Sequence, residues 1–318
     1  MAEKCEECKK DAAVYLAYAG RNLCAKHFID MFEKRVLRTN REFLLVRRGE
    51  LIAVGLSGGK DSTVMLHCLS RLAKKMPFQM HAITIDEGIA GYRPNTLAIA
   101  KKECRKLGIK HTIVSMKKEL GYSMDDVAKK IKAKGSGEYC SYCGVFRRYL
   151  LNKTARKIGA DKIAIGHNLD DAVQTLLMNL MRNEPERLAR FGVLGGVAED
   201  EGFVVRIKPL IRSPEKENAL YAILRGIEID YQECPYAKSA IRQHVRNQLN
   251  ETEEKYPGAK MKMFNSFLSI QKIVQEASRA RAKRTGEHVA KCPSCGEPAP
   301  NAKKLCMCCE MIERLGRG

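Results

Sequence analysis

The chain has 318 residues, with 57 Lys and Arg against 37 Asp and Glu, and a formal charge of +20. That length supports one α/β core of roughly 200 residues plus small modules, and the charge favours a polyanionic partner, nucleic acid first, through counterion release and steering. No stretch approaches the roughly 20 apolar residues of a membrane span, and the start, MAEKCEECKKD, lacks the apolar core of a signal peptide; the expectation is a soluble, cytoplasmic protein with no membrane partner.

Residues 1–30 carry Cys5, Cys8, Cys24 and His27 with little apolar periodicity, a four-ligand tetrahedral set for structural Zn²⁺. Thirteen cysteines, many paired at x-x spacing, point in a reducing compartment to metal and not to disulfides. A helix over about 28–46 leads onward, and from Leu51 strand and helix alternate. LIAVGL precedes a helix over about 61–75, MHAITID one over about 94–107, and HTIVSM a polar interval; a helix near 144–158, the strand KIAIG and a helix over about 170–181 follow. Repeated β-α units of this length predict an α/β fold with a doubly wound parallel sheet, ligands lying at the carboxyl ends of the strands.

LIAVGL runs straight into Ser57, Gly58, Gly59, Lys60, Asp61 and Ser62 and then a helix. A sharp strand-to-helix turn presents backbone N–H groups and a helix dipole to an anion; two glycines admit a phosphate close to the backbone, and two hydroxyls add donors. The spacing is not that of a Walker A loop. Two further strand ends carry Asp86, in TIDEGIAGYR, and Gly166, His167, Asn168, Asp170 and Asp171, in AIGHNLDD. Carboxylates there either hold Mg²⁺ between phosphates and orient an acceptor or cap the next helix, the ordinary reading of Asp170; His167 taken alone reads as structural.

The interval 129–137, basic and Gly-rich, reads as a mobile loop running into Cys140. Cys140 and Cys143 stand at x-x spacing, and Cys234 lies in ECPY after IEIDYQ, which reads as a strand. Three thiolates without a fourth suit an iron–sulfur cluster with one iron left open, able to hold a sulfur for transfer; the pair alone also fits a redox dithiol or half a zinc site. Cys68 and Cys104 fall on helices, where a buried thiol is the default.

Met263, Phe264, Phe267, Leu268, Ile270 and Val274 recur at helical spacing, as core or interface, before the basic run Arg279, Arg281, Lys283 and Arg284. Cys292, Cys295, Cys306 and Cys309 then complete a second tetrahedral zinc set, with Cys308 leaving the register open. The reading divides the chain into a zinc module at 1–30, an α/β nucleotide domain at 31–245 that includes a linking helix in 31–48, a basic helical segment at 246–288 and a zinc module at 289–318. The terminal modules and the apolar helix point to a homodimer.

In their order, SGGKDST, IDEGIAGYR, CSYCGVFRR and GHNLDD, together with the N-terminal Cys-x-x-Cys and Cys-x-x-His pairs, resemble the tRNA 2-thiouridine synthetases of the N-type ATP pyrophosphatase (PP-loop) superfamily over about residues 5–240. IDEGIAGYR and CSYCGVFRR resemble most the archaeal and eukaryotic cytosolic branch that thiolates the wobble uridine, position 34; the branch acting on the T-loop uridine, position 54, and other PP-loop adenylating ligases are the alternatives. The resemblance implies ATP phosphates on Ser57, Gly58, Gly59, Asp61 and Ser62, with Gly166 by the nucleotide; Lys60 in the same turn and Asp86 at the next strand end complete the candidate ATP-binding set. It implies Asp171 as the catalytic acidic residue and a [4Fe-4S] cluster on Cys140, Cys143 and Cys234. A basic residue four positions after the second cysteine, Lys in some relatives, is Arg147 here: sufficient to neutralise charge, poor at transferring a proton. ATP, Mg²⁺, the cluster and two Zn²⁺ are the implied cofactors, tRNA the partner, and a ubiquitin-like sulfur carrier or free sulfide the donor. The expected reaction is adenylation of the uridine C2 oxygen followed by attack of sulfur held on the open iron.

Overall fold

The computed structural model describes residues 3–133, 138–195, 202–230, 232–236, 240–285, 290–299 and 304–316. A hairpin, β1 (Val14–Leu16) and β2 (Arg21–Leu23), leads into α1 (Ala25–Phe43). The α/β body follows as β3 (Leu51–Gly55), α2 (Lys60–Ala73), β4 (Gln79–Asp86), α3 (Arg93–Leu107), β5 (Lys110–Ser115), α4 (Met116–Leu120), α5 (Met124–Ala133) and α6 (Tyr139–Lys157). It continues through β6 (Lys162–Ala164), α7 (Leu169–Met181), α8 (Pro185–Arg190), β7 (Leu194–Gly195), β8 (Val205–Ile207) and α9 (Glu215–Arg225). Then come α10 (Ala240–Lys255), α11 (Ala259–Thr285), a second hairpin of β9 (Ala290–Lys291) and β10 (Pro298–Ala299), and α12 (Met307–Gly316).

Among the described residues the central sheet has six strands in the order β5-β4-β3-β6-β8-β7. All pairs are parallel except the edge pair β7–β8. The strand order reverses between β3 and β6, which opens a crevice outside their carboxyl ends. Alternation along the strands divides the interior: Ile52, Val54, Ala82 and Ala164 join one core with Phe28, Phe32, Leu66, Tyr221 and Phe264, whereas Ala53, Ile83 and Ile163 join another with Met124, Phe146, Leu150 and Leu315. Burial on both faces is why these strands read as continuous apolar runs.

Two expectations are corrected. Residues 129–133 of the supposed loop complete α5, because Met124, Val127, Ala128 and Ile131 bury one helical face; residues 134–137 lie outside the described residues. Residues 227–230 of IEIDYQ form no strand: β8 fills the sheet position beside β6, and Asp230 makes an isolated bridge to Gly59; Tyr231 lies outside the described residues. The apolar stripe of α11 is divided, Phe264 and Phe267 being buried while Met263 and Ile270 face outward. The basic run falls on α11, but the side chains of Arg279, Arg281, Lys283 and Arg284 lie outside the described residues.

Candidate active site and metal centres

β3 ends at Gly55, and the chain turns through Gly58, whose φ of 82° a side chain would strain. A Cβ at Gly58 would stand 1.9 Å from the Thr96 carbonyl oxygen of α3, and one at Gly166 would stand 2.9 Å from the Ser62 backbone. The loop is thus held between two other pieces of backbone. Internally, Ser57 N–H donates to Ser62 Oγ (3.1 Å), Ser62 Oγ donates to the Gly59 carbonyl (3.0 Å), and Gly59 N–H donates to Ser57 Oγ (3.3 Å). Gly59 caps α2 with no side-chain acceptor for the first turn, leaving that turn's N–H groups for an anion.

The loop forms one wall of a cavity of about 650 Å³ at the strand reversal. Ser57, Gly59, Lys60, Asp61, Ser62, Gly166 and Arg147 all line it, so the structure brings together most of the residues expected from sequence. Lys60 Nζ lies 3.0 Å from Asp61 and 3.5 Å from Glu215, and Asn218 donates to Asp61 at 2.7 Å. Asp86 is not in the wall: its carboxylate accepts from Gly88 N–H at 3.0 Å and shapes the turn after β4. Its neighbour Glu87 lines the cavity instead, buried, 2.6 Å from Arg93 and 3.7 Å from Arg147. Arg93 in turn donates to the Ser57 carbonyl at 2.8 Å, wiring the nucleotide loop through Glu87 to α6.

Asp171 forms a capping box with Asn168 and pairs with Arg242 at 3.5 Å. Enclosure in protein, and then the negative Asp61 and Glu215, outweigh the Asn168 N–H and hold its carboxyl up at about 6. Asp170 is a strut: buried, it accepts from Glu215 N–H at 2.7 Å and from Lys260 at 2.5 Å, tying α7 to α11. His167 is walled by protein although open to the cavity; that enclosure, and then Lys208, Arg147, Arg242 and Arg148, hold it neutral, at about 3. Sequence reading missed Glu87, Arg148, Arg190, Arg206 and Lys208 on this wall. Arg206 and Lys208 flank the buried Ile207, a strand alternation short enough to escape notice.

Cys140 and Cys143 occupy the first turns of α6, and Arg147 follows Cys143 one turn on. The segment carrying Cys234 is brought to this helix by Tyr236, whose ring meets Tyr139 at 5.5 Å, whose hydroxyl donates to Asp125 at 2.8 Å and whose carbonyl accepts from the Cys140 thiol at 3.3 Å. The three thiols fall in each other's electrostatic range but do not join the groups whose donors crowd within 4.8 Å of one another. Three spread thiols beside a guanidinium fit an anionic cluster larger than a single ion, with a position the protein leaves unligated.

Two groups do crowd within 4.8 Å among the described residues: Cys5, Cys8, Cys24 and His27, and Cys292, Cys295, Cys306 and Cys309. Burial opposes ionisation of Cys5 and Cys292, yet hydrogen bonds to His27 and backbone N–H groups for Cys5, and to backbone N–H groups and Cys295 for Cys292, bring each thiol down to about 6. Cys308 points elsewhere, into the second core, and its burial raises it to about 12. Among the described residues the donors that crowd together are those of Cys292, Cys295, Cys306 and Cys309, and Cys308 is not in that group.

A strand, an SGGKDS turn and a helix at the reversal of a doubly wound sheet define a PP-loop protein, and the comparisons agree. The chain matches the PP-loop domain family over residues 29–253 and the N-terminal LIM domain of the 2-thiouridine synthetase TtuA over residues 4–29. It is 37% identical over 320 residues to the cytoplasmic tRNA 2-thiolation protein 1 of Bos taurus, spanning 100% of this chain and 89% of that one. It is 34% identical over 307 residues to a tRNA-5-methyluridine(54) 2-sulfurtransferase of Pyrococcus horikoshii, spanning 96% and 93%. The solved structure of the U34-tRNA thiolase NcsA from Methanococcus maripaludis, with its [4Fe-4S] cluster, aligns with a TM-score of 0.80 at 31% identity over 99% of this chain and 97% of that one. The chain belongs to the PP-loop family that contains the tRNA 2-thiolation proteins.

Proposed function

We propose that this protein is a tRNA sulfurtransferase that converts the wobble uridine, position 34, to 2-thiouridine at the expense of ATP. The observation that carries the reading is that α6 bears Cys140 and Cys143 at one end and sends Arg147, one turn on, into the cavity that the SGGKDS loop walls. The three thiols are not themselves in the cavity wall, but Gly144 and Arg147, next along α6, are, and this adjacency supports placing the nucleotide and sulfur sites side by side, as a two-step exchange at a single carbon requires.

ATP lies with its phosphates on Ser57, Gly58, Gly59, Lys60, Asp61 and Ser62 and its nucleoside by Gly166, with Mg²⁺ neutralising the phosphates. The uridine C2 oxygen attacks the α-phosphorus, the α–β phosphoanhydride bond breaks, and pyrophosphate leaves. A sulfur nucleophile then forms the C–S bond at C2 as the C2–O bond breaks, and AMP departs with the oxygen and the bonding pair. Adenylation is what turns a poor oxygen leaving group into a good one. Asp171 accepts the proton lost along this path; Arg147 offsets negative charge and, with a guanidinium, does not shuttle protons. Cys140, Cys143 and Cys234 would hold a [4Fe-4S] cluster, which supplies an iron free of protein ligands for the incoming sulfide. The sulfur comes from free sulfide or a ubiquitin-like carrier. Modules 1–30 and 289–318 hold Zn²⁺ as structural clips on either side of the nucleotide domain, 31–245, and the helical segment, 246–288, and the protein works in the cytoplasm as a homodimer.

The test is nucleoside mass spectrometry of unmodified tRNA after anaerobic incubation with cluster-loaded protein, ATP, Mg²⁺ and sulfide, with fragment mapping. A 2-thiouridine at position 34 is expected. The product at position 54, as in the name of the Pyrococcus relative, would keep the chemistry and change the substrate; ATP turnover without any thionucleoside would sink the assignment in favour of another adenylating ligase.

A further inference from the structure

The cavity holds more positive charge than the nucleotide loop uses. Besides Arg147, its wall includes Arg148 from α6, Arg190 at the end of α8, and Arg206 and Lys208 on and after β8. Arg147 has Glu87 at 3.7 Å. For the other four, no carboxylate lies within ion-pair distance among the described residues; what they meet is carbonyl oxygen and each other. Arg206 reaches the Arg148 carbonyl at 3.5 Å, Arg190 Nε donates to the Glu186 carbonyl at 3.2 Å, and Lys208 donates to the Gly192 carbonyl while its ammonium sits 5.3 Å from the Phe191 ring centre. The buried Arg206 Nε–H has no acceptor among the described residues. Lys208 is itself buried, and that burial together with the Arg206 charge brings it down to about 8. Cations gathered in this way repel one another, and no described carboxylate offsets them; an anion that enters the cavity relieves the repulsion.

The phosphates of ATP already have their own receptors at the other wall: the open first turn of α2, Ser57, Ser62 and Lys60. A uridine that reaches this cavity from within a folded RNA has to leave its stack, and it brings its own backbone with it. The two phosphodiesters on either side of the flipped nucleotide then stand at the cavity mouth, where planar guanidinium groups suit them in bidentate contact. We propose that Arg148, Arg190, Arg206 and Lys208 form a second anion site, distinct from the nucleotide loop, which grips the RNA backbone phosphates flanking the target nucleotide. The proposal rests on the reading of the substrate as RNA given above.

The experiment uses full-length, cluster-loaded protein carrying Arg148→Gln or Arg206→Gln, with Arg206→Lys as the variant that keeps the charge. Binding of unmodified tRNA is followed by fluorescence anisotropy across a KCl series, and ATP binding by calorimetry; iron content and the visible absorption of the cluster check that each variant is folded and loaded. Each Gln variant should bind tRNA about tenfold more weakly and lower the slope of log K against log salt by about one, with the Kd for ATP unchanged. Arg206→Lys should recover the slope and only part of the affinity. Weakened ATP binding with normal tRNA binding would assign the cations to the triphosphate and overturn the proposal, as would tRNA binding equal to wild type. Wild-type protein that binds tRNA but yields no thionucleoside would count against the activity alone, because the binding series is read without turnover.

Discussion

The terminal cysteine sets and the central one are built to opposite specifications. At each end four donors crowd within 4.8 Å on short hairpin-and-helix segments, and each set is anchored in a different core: Cys5 and Cys24 in the one under α1 and α2, Cys292, Cys306 and Cys309 in the one under α5 and α6. The anchoring is extensive. Phe32 stacks on Tyr221 at 4.5 Å and Arg35 pairs with Glu217 at 2.7 Å at the amino end, while Glu297 takes Arg156 at 2.9 Å and Asn152 at 3.3 Å at the carboxyl end. In the centre three thiols spread apart, drawn from α6 and a distant segment, beside an arginine that faces a cavity. Four donors within reach of one another can saturate a tetrahedral ion, whereas three spread donors would leave a bound group one position that the protein does not fill.

Substitution should separate the two designs most sharply at Cys143. Cys143→Ala is expected to lower thiolation by about three orders of magnitude or more, with iron lost, zinc retained and ATP still bound; elemental analysis beside activity reads this, and an active variant would erase the distinction. Next is Gly58→Ala, where the new methyl meets the Thr96 carbonyl at 1.9 Å. Loss of ATP-dependent AMP formation and about 2 kcal/mol or more of stability are expected, by thermal melting. A pH series on Asp171 comes third. Its carboxyl, held up at about 6 by enclosure, is a base only above that pH, so kcat/KM should fall about tenfold per unit below it. Folding stability runs the other way, complete below the unfolded value of about 4 and falling as pH rises through about 6. An activity flat to pH 5 would remove Asp171 from the proton path. The smallest effect separates neighbours in the tail: Cys306→Ser should release one zinc per chain, whereas Cys308→Ser should retain it and cost about 1–2 kcal/mol, mainly from a hydroxyl buried among apolar groups.

What could be read in sequence follows the range of the interaction. The nucleotide turn was legible because its residues are consecutive, and both terminal sets because each is made of two pairs with members three residues apart. The same holds for β3, β4 and β5, whose apolar runs reflect burial on both faces. Asp86 and Glu87 show the limit: adjacent acids at a strand end point opposite ways, and Glu87 continues the alternation of Ile83 and Ile85 on the cavity side, a side that only the assembled sheet identifies. The cations of the further site are harder still, since α6, α8 and β8 contribute them separately and β8 is three residues long. IEIDYQ looked like a strand by composition and lost its place in the sheet to β8, a competition that no window of local sequence can score.

The glycines of the nucleotide turn also set when order is acquired. With Gly58 against the Thr96 carbonyl and Gly166 against the Ser62 backbone, no side chain stands between the loop and its supports, and the loop inherits the stiffness of the sheet and helices behind it. The conformational entropy of the cradle is therefore surrendered once, as the chain folds, and not again each time a nucleotide arrives, so more of the contact free energy remains available as affinity.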